Sequence, residues 1–245
     1  MLGDRLFPRS QEQELMDDPA ASAPELARTL AEIEGLNRTL NGYRPTLDGV
    51  FSLLPPGATR LSVLDVGVGG GDMARQLVEH GAARGVEVHV LGIDLAESTV
   101  AYAEGRTAGY PTITHRHQDL FALPAEPAFD VVHAAQVLHH FPDDAIVPAL
   151  TRMAEVARVG VVVNDLHRHP VAWAGIRAIT AVLSRNPMIR YDAPLSVRRG
   201  FVAEELLGWA RAVPGVEATL TWRLPFRWQL VLRRAAPPPG HAQGA

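Results

Sequence analysis

In VLDVGVGGGD (63–72), two carboxylates flank a turn that has almost no side chains: Asp65 stands two residues ahead of Gly67, Gly69 and Gly71 follow at alternate positions, and Asp72 closes the run. Glycines let a backbone approach a ligand that a β-carbon would push away. A pyrophosphate-binding turn reads G-x-G-x-x-G and rests its phosphates on the amides of a helix N-terminus. Here the spacing is G-x-G-x-G, and Asp72 takes the place of the last dinucleotide glycine. An acid at that helix start repels a pyrophosphate and suits a nucleoside cofactor that carries positive charge. Two more acids follow in comparable settings, Asp94 in GIDLAESTV (92–100) and Asp119 in HQDLFALP (117–124). Asp65 and Asp94 each have a plainer alternative as a helix-capping acid, and Asp119 as an ordinary loop acid.

Candidates for proton transfer are histidines. His139 and His140 lie in VLHHFPDD (137–144) and His167 in NDLHRHP (164–170). A neutral imidazole titrates near working pH and can take a proton from an attacking hydroxyl; the competing reading for each is a structural histidine bonded locally. The chain has no cysteine, which excludes thiol nucleophiles, disulfides and thiolate metal sites. Hard cations take carboxylate oxygens; the run Ala134-Ala135-Gln136 carries none, and no metal is expected.

Such residues need a frame to bring them together. Short β-branched runs at 61–67, 86–94, 112–117, 129–135 and 159–165 alternate with helical periods near 71–83, 96–107 and 143–157. That alternation predicts an α/β doubly wound, Rossmann-like, mostly parallel sheet with helices on both faces. In such a sheet the ligand lies beyond the carboxyl ends of the strands, and the first strand-to-helix turn touches it. Leu26, Leu30, Ile33, Leu36 and Leu40 mark an amphipathic helix over 24–43, and Pro45 permits another helix through Leu54. The stretch 169–187 is too apolar for a fully solvated helix; Trp173, Ile176 and Ile179 share a face that could line an apolar site or belong to the core. A polar helix is expected at 202–212. The runs 216–224 and 226–234, separated by Pro225, suggest an antiparallel hairpin that closes the sheet as a seven-stranded one. The expected organisation is a helical lid over 1–57, a cofactor-binding domain over 58–234 with a helical insertion at about 167–200, and a disordered tail over 235–245.

VLDVGVGGGD resembles the first motif of the class I S-adenosylmethionine-dependent methyltransferases, and the resemblance continues in order through GIDLAESTV, HQDLFALP and FDVVHAAQVLHHFPDD (129–144), across about residues 60–165. Val68 departs from the pattern, since small or polar residues are common there. The resemblance implies that S-adenosyl-L-methionine is bound by Asp65, Gly67, Gly69 and Gly71, with Asp94 on the ribose hydroxyls beside Leu95. It also implies Asp119 on the adenine amino group with Leu120 packed nearby, and Ala135 and Gln136 beside the sulfonium. Arg38, on the N-terminal helix with Tyr43, could pair with the methionine carboxylate or lie on a solvated face.

The flanking segments RLFPRSQEQELMDDP and APLSVRRGF are similar to bacterial natural-product methyltransferases. The implied substrate is a hydrophobic small molecule, aromatic or lipid-like, methylated on an aromatic hydroxyl of a polyketide, phenol or quinone-type compound. C-methylation of a similar acceptor and a non-catalytic binding protein of the same fold are the alternatives. The net charge of −4, with no Lys/Arg block longer than two residues, argues against a nucleic-acid partner. No apolar run approaches membrane-spanning length and no signal pattern opens the chain, so a cytoplasmic protein without a membrane partner, monomer or homodimer, is expected.

Overall fold

Strand β1 (Arg60–Val66) is buried on both sides, with Val63 and Leu64 fully covered, as expected for a strand at the centre of a parallel sheet. The computed structural model describes residues 7–18 and 22–235. β1 lies between β2 (Glu87–Asp94) and β4 (Phe129–Ala135), and the full order is β3-β2-β1-β4-β5-β7-β6. β3 (Ile113–His117) to β5 (Ala157–Leu166) run parallel; β7 (Arg227–Arg234) inserts antiparallel between β5 and β6 (Val216–Arg223). The strand order reverses between β1 and β4, so a crevice opens above their carboxyl ends, which is where open α/β sheets bind ligands.

Helices α1 (Ala23–Thr39), α2 (Arg44–Ser52), α3 (Asp72–Ala82), α4 (Glu97–Thr107), α5 (Asp143–Val156), α6 (Pro170–Leu183), α7 (Pro187–Arg199) and α8 (Ala203–Arg211) complete the architecture. On one face Ile146, Leu150 and Met153 of α5 and Leu206 of α8 pack on Val132, Val161 and Leu230. On the other, Val50 of α2 and Ala74 and Leu77 of α3 pack on Val63, Val131 and Val162. Truncating one of these fully buried leucines to alanine costs about 2–5 kcal/mol.

The structure refines several sequence expectations. The helix expected over 24–43 stops at Thr39, because Asn41 turns left-handed at φ 55°. α2 belongs to the core rather than to a lid: a β-carbon at Gly49 would meet Val162 at 2.7 Å, so the helix lies directly against the sheet. The apolar stretch 169–187 forms α6, which stops at Leu183, and the rest of the expected insertion to about 200 forms a second helix, α7. Asn186 accepts from the Met188 N–H and Pro187 opens α7, a pairing of cap and first-turn proline that starts a new helix. α7 also carries the APLSV segment. The predicted tail lies, from residue 236, outside the described residues. Among the described residues no helix is long and apolar enough to cross a membrane.

Residues 7–18 strap across the carboxyl end of the sheet. Ser10 donates its N–H to the Arg198 carbonyl, and Asp192 of α7 accepts from the N–H groups of Leu15 and Met16 at 2.8 and 3.0 Å.

Candidate active site

A cavity of about 1150 Å³ lies over the carboxyl ends of β1, β2, β4 and β5, roofed by α1, α6, α7 and the strap. Its first half is built from the glycine turn. Gly67 and Gly69 line it in left-handed conformations, φ 72° and 51°, which non-glycine residues seldom adopt. A β-carbon at Gly67 would sit 2.4 Å from Val137. Gly71, also left-handed at φ 69°, does not line the cavity; its missing side chain lets α3 approach Thr107 of α4, 2.9 Å from where a β-carbon would stand.

Asp65 is 2% exposed at the cavity floor, and its Oδ2 has no hydrogen-bond partner. Burial first, then the nearby Asp72 and Asp94, push its pKa well above the ordinary carboxyl range. His133, 3.3 Å away, offers no counter-charge, because burial pushes its pKa down to about 3 and keeps it neutral. Asp94 lines the cavity at the end of β2; burial raises its pKa, against bonds from backbone N–H groups that include Ala96 at 3.0 Å. A glycine cradle, an unpartnered buried acid and a surplus of negative charge fit the positively charged cofactor that the resemblance implied. Asp65 and Asp94 line this half, and so do Leu95, 70% exposed, and Leu120, 4% exposed.

Two further expected cofactor residues do not line the cavity. Asp119 is exposed and accepts the Phe121 N–H at 2.9 Å, capping a short 3-10 turn, and Gln118 takes the neighbouring place on the cavity wall. Arg38 points outward with its side chain 74% exposed and pairs with Glu34 at 3.0 Å, which also binds Arg75 and Arg106 at 2.8 Å. The plain readings, loop acid and solvated helix face, describe these two positions. Ala135 and Gln136 do line the cavity; Gln136 sits at φ 59° and donates Nε2–H to Asn37 Oδ1 at 2.7 Å.

In the second half the histidines separate. His139 is 2% exposed, with Nδ1 2.7 Å from Asp165 and Nε2 3.4 Å from Glu14. Burial opposes its charge, but the two acids outweigh burial and raise its pKa to about 9. It is an imidazolium at neutral pH and has no room for another proton. His140, half-buried on the cavity wall, pairs through Nδ1 with Asp17 Oδ2 at 2.8 Å. A carboxylate on Nδ1 selects the tautomer with the proton there and leaves Nε2 as acceptor, the arrangement of an oriented general base. His167 does not line the cavity. Its Nδ1 accepts from Trp222 Nε1 at 3.1 Å, it packs against Trp228 and Phe226, and burial together with His169 and Arg168 lowers its pKa to about 4. It is a structural histidine.

Glu14, His139 and His140 bring ligand-type atoms within 4.8 Å of one another, the one such group among the described residues. Its central member, His139, carries a proton bound between two acids, so a cation there would have to displace that proton.

The remaining wall is apolar: Leu26, Leu30 and Ile33 of α1, and Val171, Ile176 and Ile179 of α6. Trp173 lies off the wall, edge-on to Phe7 at 6.3 Å. Sequence reasoning missed Glu14, Asp17, Asn37 and Arg227. The acids of the strap carry no periodic signal, whereas Arg227 and Gln229 alternate on the buried side of β7, and polar residues at inward positions of a strand were a readable sign.

Residues 63–160 match the family described as methyltransferase domain. The ubiquinone biosynthesis O-methyltransferase of Paracidovorax citrulli is 38% identical over 145 residues, which are 56% of this chain and 58% of that protein. The protein of the same name from Albidiferax ferrireducens is 35% identical over 206 residues, 80% of this chain and 76% of that one. The crystal structure of a SAM dependent methyltransferase from Aquifex aeolicus superposes with a TM-score of 0.61 over 85% of this chain and 98% of its own, at 15% identity, a likeness of fold.

Proposed function

The chain belongs to the class I S-adenosylmethionine-dependent methyltransferases, and on that premise we propose that it methylates a hydroxyl of an aromatic small molecule of the phenol, quinol or polyketide type. The observation that carries this reading is the His140–Asp17 pair on the wall of a largely apolar cavity. S-adenosylmethionine, when bound, supplies a methyl group on a positively charged sulfur. The glycine turn, Asp65 and Asp94 hold that end of the cavity, while α1 and α6 exclude water and provide an apolar bed for a ring. His140 Nε2 takes the proton of the acceptor hydroxyl as its oxygen becomes the nucleophile, and Asp17 holds the ring and balances the imidazolium that forms. The buried imidazolium of His139, 4.3 Å from the His140 ring between centroids, cannot itself act as base.

Hydroxyl rather than carbon is favoured by this oriented base, which suits an O–H proton, and by the O-methyltransferases among the relatives. The test is a panel of catechols and hydroquinones incubated with S-adenosylmethionine, with products located by mass spectrometry and NMR. The expected product is a methyl ether, and His140→Gln lowers kcat about 10²-fold or more on unactivated phenols, with a smaller loss on nitrophenols that are already ionised. Methyl groups found on ring carbon, or equal rates for wild type, His140→Gln and Asp17→Asn, overturn the reading.

A further inference from the structure

The cavity contains a cation that methyl transfer itself does not require. Arg227 opens β7 opposite Leu166, the last residue of β5, and its side chain is buried on the cavity wall at 5% exposure. Its Nη1 has no hydrogen-bond partner. Its Nη2 makes only a long 3.4 Å bond to Asn37 Oδ1, an oxygen already taken at 2.7 Å by Gln136. Burial lowers its pKa to about 10, so it remains charged at neutral pH. The acid that acts on it, Asp165, is committed to the His139 ring and to the N–H groups of His139 and Leu166. A buried guanidinium left unpaired is costly, and its planar fork matches a carboxylate.

We propose that Arg227 is the counter-ion for an acidic oxygen group, a carboxylate or its vinylogous equivalent, carried by the acceptor at a position other than the hydroxyl that is methylated. The inference rests on the reading of the protein as a methyltransferase of aromatic hydroxyls. The backbone of β7 lies three strands from β1 and four from β2, about 14 and 19 Å at roughly 4.8 Å per strand, and the guanidinium reaches only as far as Asn37, beside Gln136. Leu166 and Phe226 stand beside it on the wall, with α6 above, so a ring lying on these apolar groups would present its acid to Nη1. A neutral acceptor in the same place leaves the charge without a partner.

The test compares 3,4-dihydroxybenzoate with its methyl ester, using calorimetry on the whole chain loaded with S-adenosylhomocysteine for binding and, separately, methyl transfer from S-adenosylmethionine for turnover. The variants are Arg227→Met, which removes the charge while keeping length, and Arg227→Lys. Wild type should bind the acid at least tenfold more tightly than the ester. Arg227→Met should abolish that preference and leave ester binding and S-adenosylhomocysteine affinity within about twofold, and Arg227→Lys should restore part of it. Equal loss for acid and ester, no binding of either, or a tenfold loss of S-adenosylhomocysteine affinity in Arg227→Met each overturns the proposal; the last would assign the guanidinium to the cofactor's own carboxylate. Acid binding that depends on Arg227 without methyl transfer would leave the anion site standing and remove the hydroxyl reading. Methylation of neutral phenols with no preference for acids would do the reverse.

Discussion

Asp65 presents the sharpest problem at the scale of a single residue: a carboxyl 2% exposed, with an unpartnered oxygen and two further acids nearby. Burial and the neighbouring acids favour the protonated carboxyl, and a positively charged ligand arriving beside it favours the ionised form. Binding of S-adenosylhomocysteine, whose ammonium group carries the charge, is therefore expected to be linked to proton release. Calorimetry in buffers of differing ionisation enthalpy reads this directly. In Asp65→Asn the release should vanish and affinity should fall by about 1–3 kcal/mol, the loss of a charged hydrogen-bond partner; unchanged proton release in the variant would remove Asp65 from the site. The cavity-lining places of Asp65 and Asp94 were legible because both acids stand at strand ends in a repeating strand-turn-helix pattern. Asp119 stands between two wall residues, Gln118 and Leu120, and accepts the Phe121 N–H of its own turn. The histidines were not separable from sequence. What distinguishes His139 from His140 is an acid from β5 and two acids from the strap, more than 120 residues earlier in the chain.

The strap is the element on which the catalytic reading depends, since it supplies Asp17 and is itself fastened by α7. Asp192, 3% exposed, accepts the N–H groups of Leu15 and Met16 directly before Asp17, and burial foremost, then Glu14 and Asp17, raises its pKa to about 6. Asp192→Ala strips both backbone donors of their acceptor, so Asp17 loses its support while the glycine turn is untouched. The expected outcome is faster hydrogen exchange at Leu15 and Met16 and a drop in kcat of about tenfold, within the range set by lost positioning, with S-adenosylhomocysteine affinity unchanged within about twofold. Full activity despite exchange-labile amides would show that the strap does not position the base. Elements with strong periodicity, the strands and α3 to α5, could be read from sequence because burial on both faces of a parallel sheet leaves continuous apolar runs. The helix at α2 was read but its place against the sheet was not, because an amphipathic helix packed on the sheet and one packed on a cavity have the same pattern, and α7 was not read as a separate helix.

At the scale of the whole molecule, the buried charges around His139 join parts that are distant in sequence. The imidazolium lies between Asp165 of β5 and Glu14 of the strap, and Arg199 of α7 donates to its carbonyl at 3.1 Å and to that of His140 at 3.0 Å. Linkage fixes how this cluster responds to pH. The folded-state pKa of His139, about 9, lies above the ordinary 6.5, so its contribution is complete below about pH 6.5 and is lost as pH rises through 9. Glu14 and Asp165 are lowered despite burial, chiefly by His139. Their contribution is present above the ordinary carboxylate range and is lost as pH falls through their folded values. The two limbs leave a plateau from roughly pH 5 to 7. The alkaline limb amounts to about 3 kcal/mol for a shift of this size at a fully buried group. His139→Gln removes that limb, and it also leaves Asp165 and Glu14 without their shared cation, so the variant is less stable throughout the plateau. Urea midpoints measured from pH 6 to 10 should therefore show wild type and variant converging as pH rises through 9. Parallel curves over that range would mean that His139 is neutral in the folded protein, and would return it to candidacy as a base beside His140.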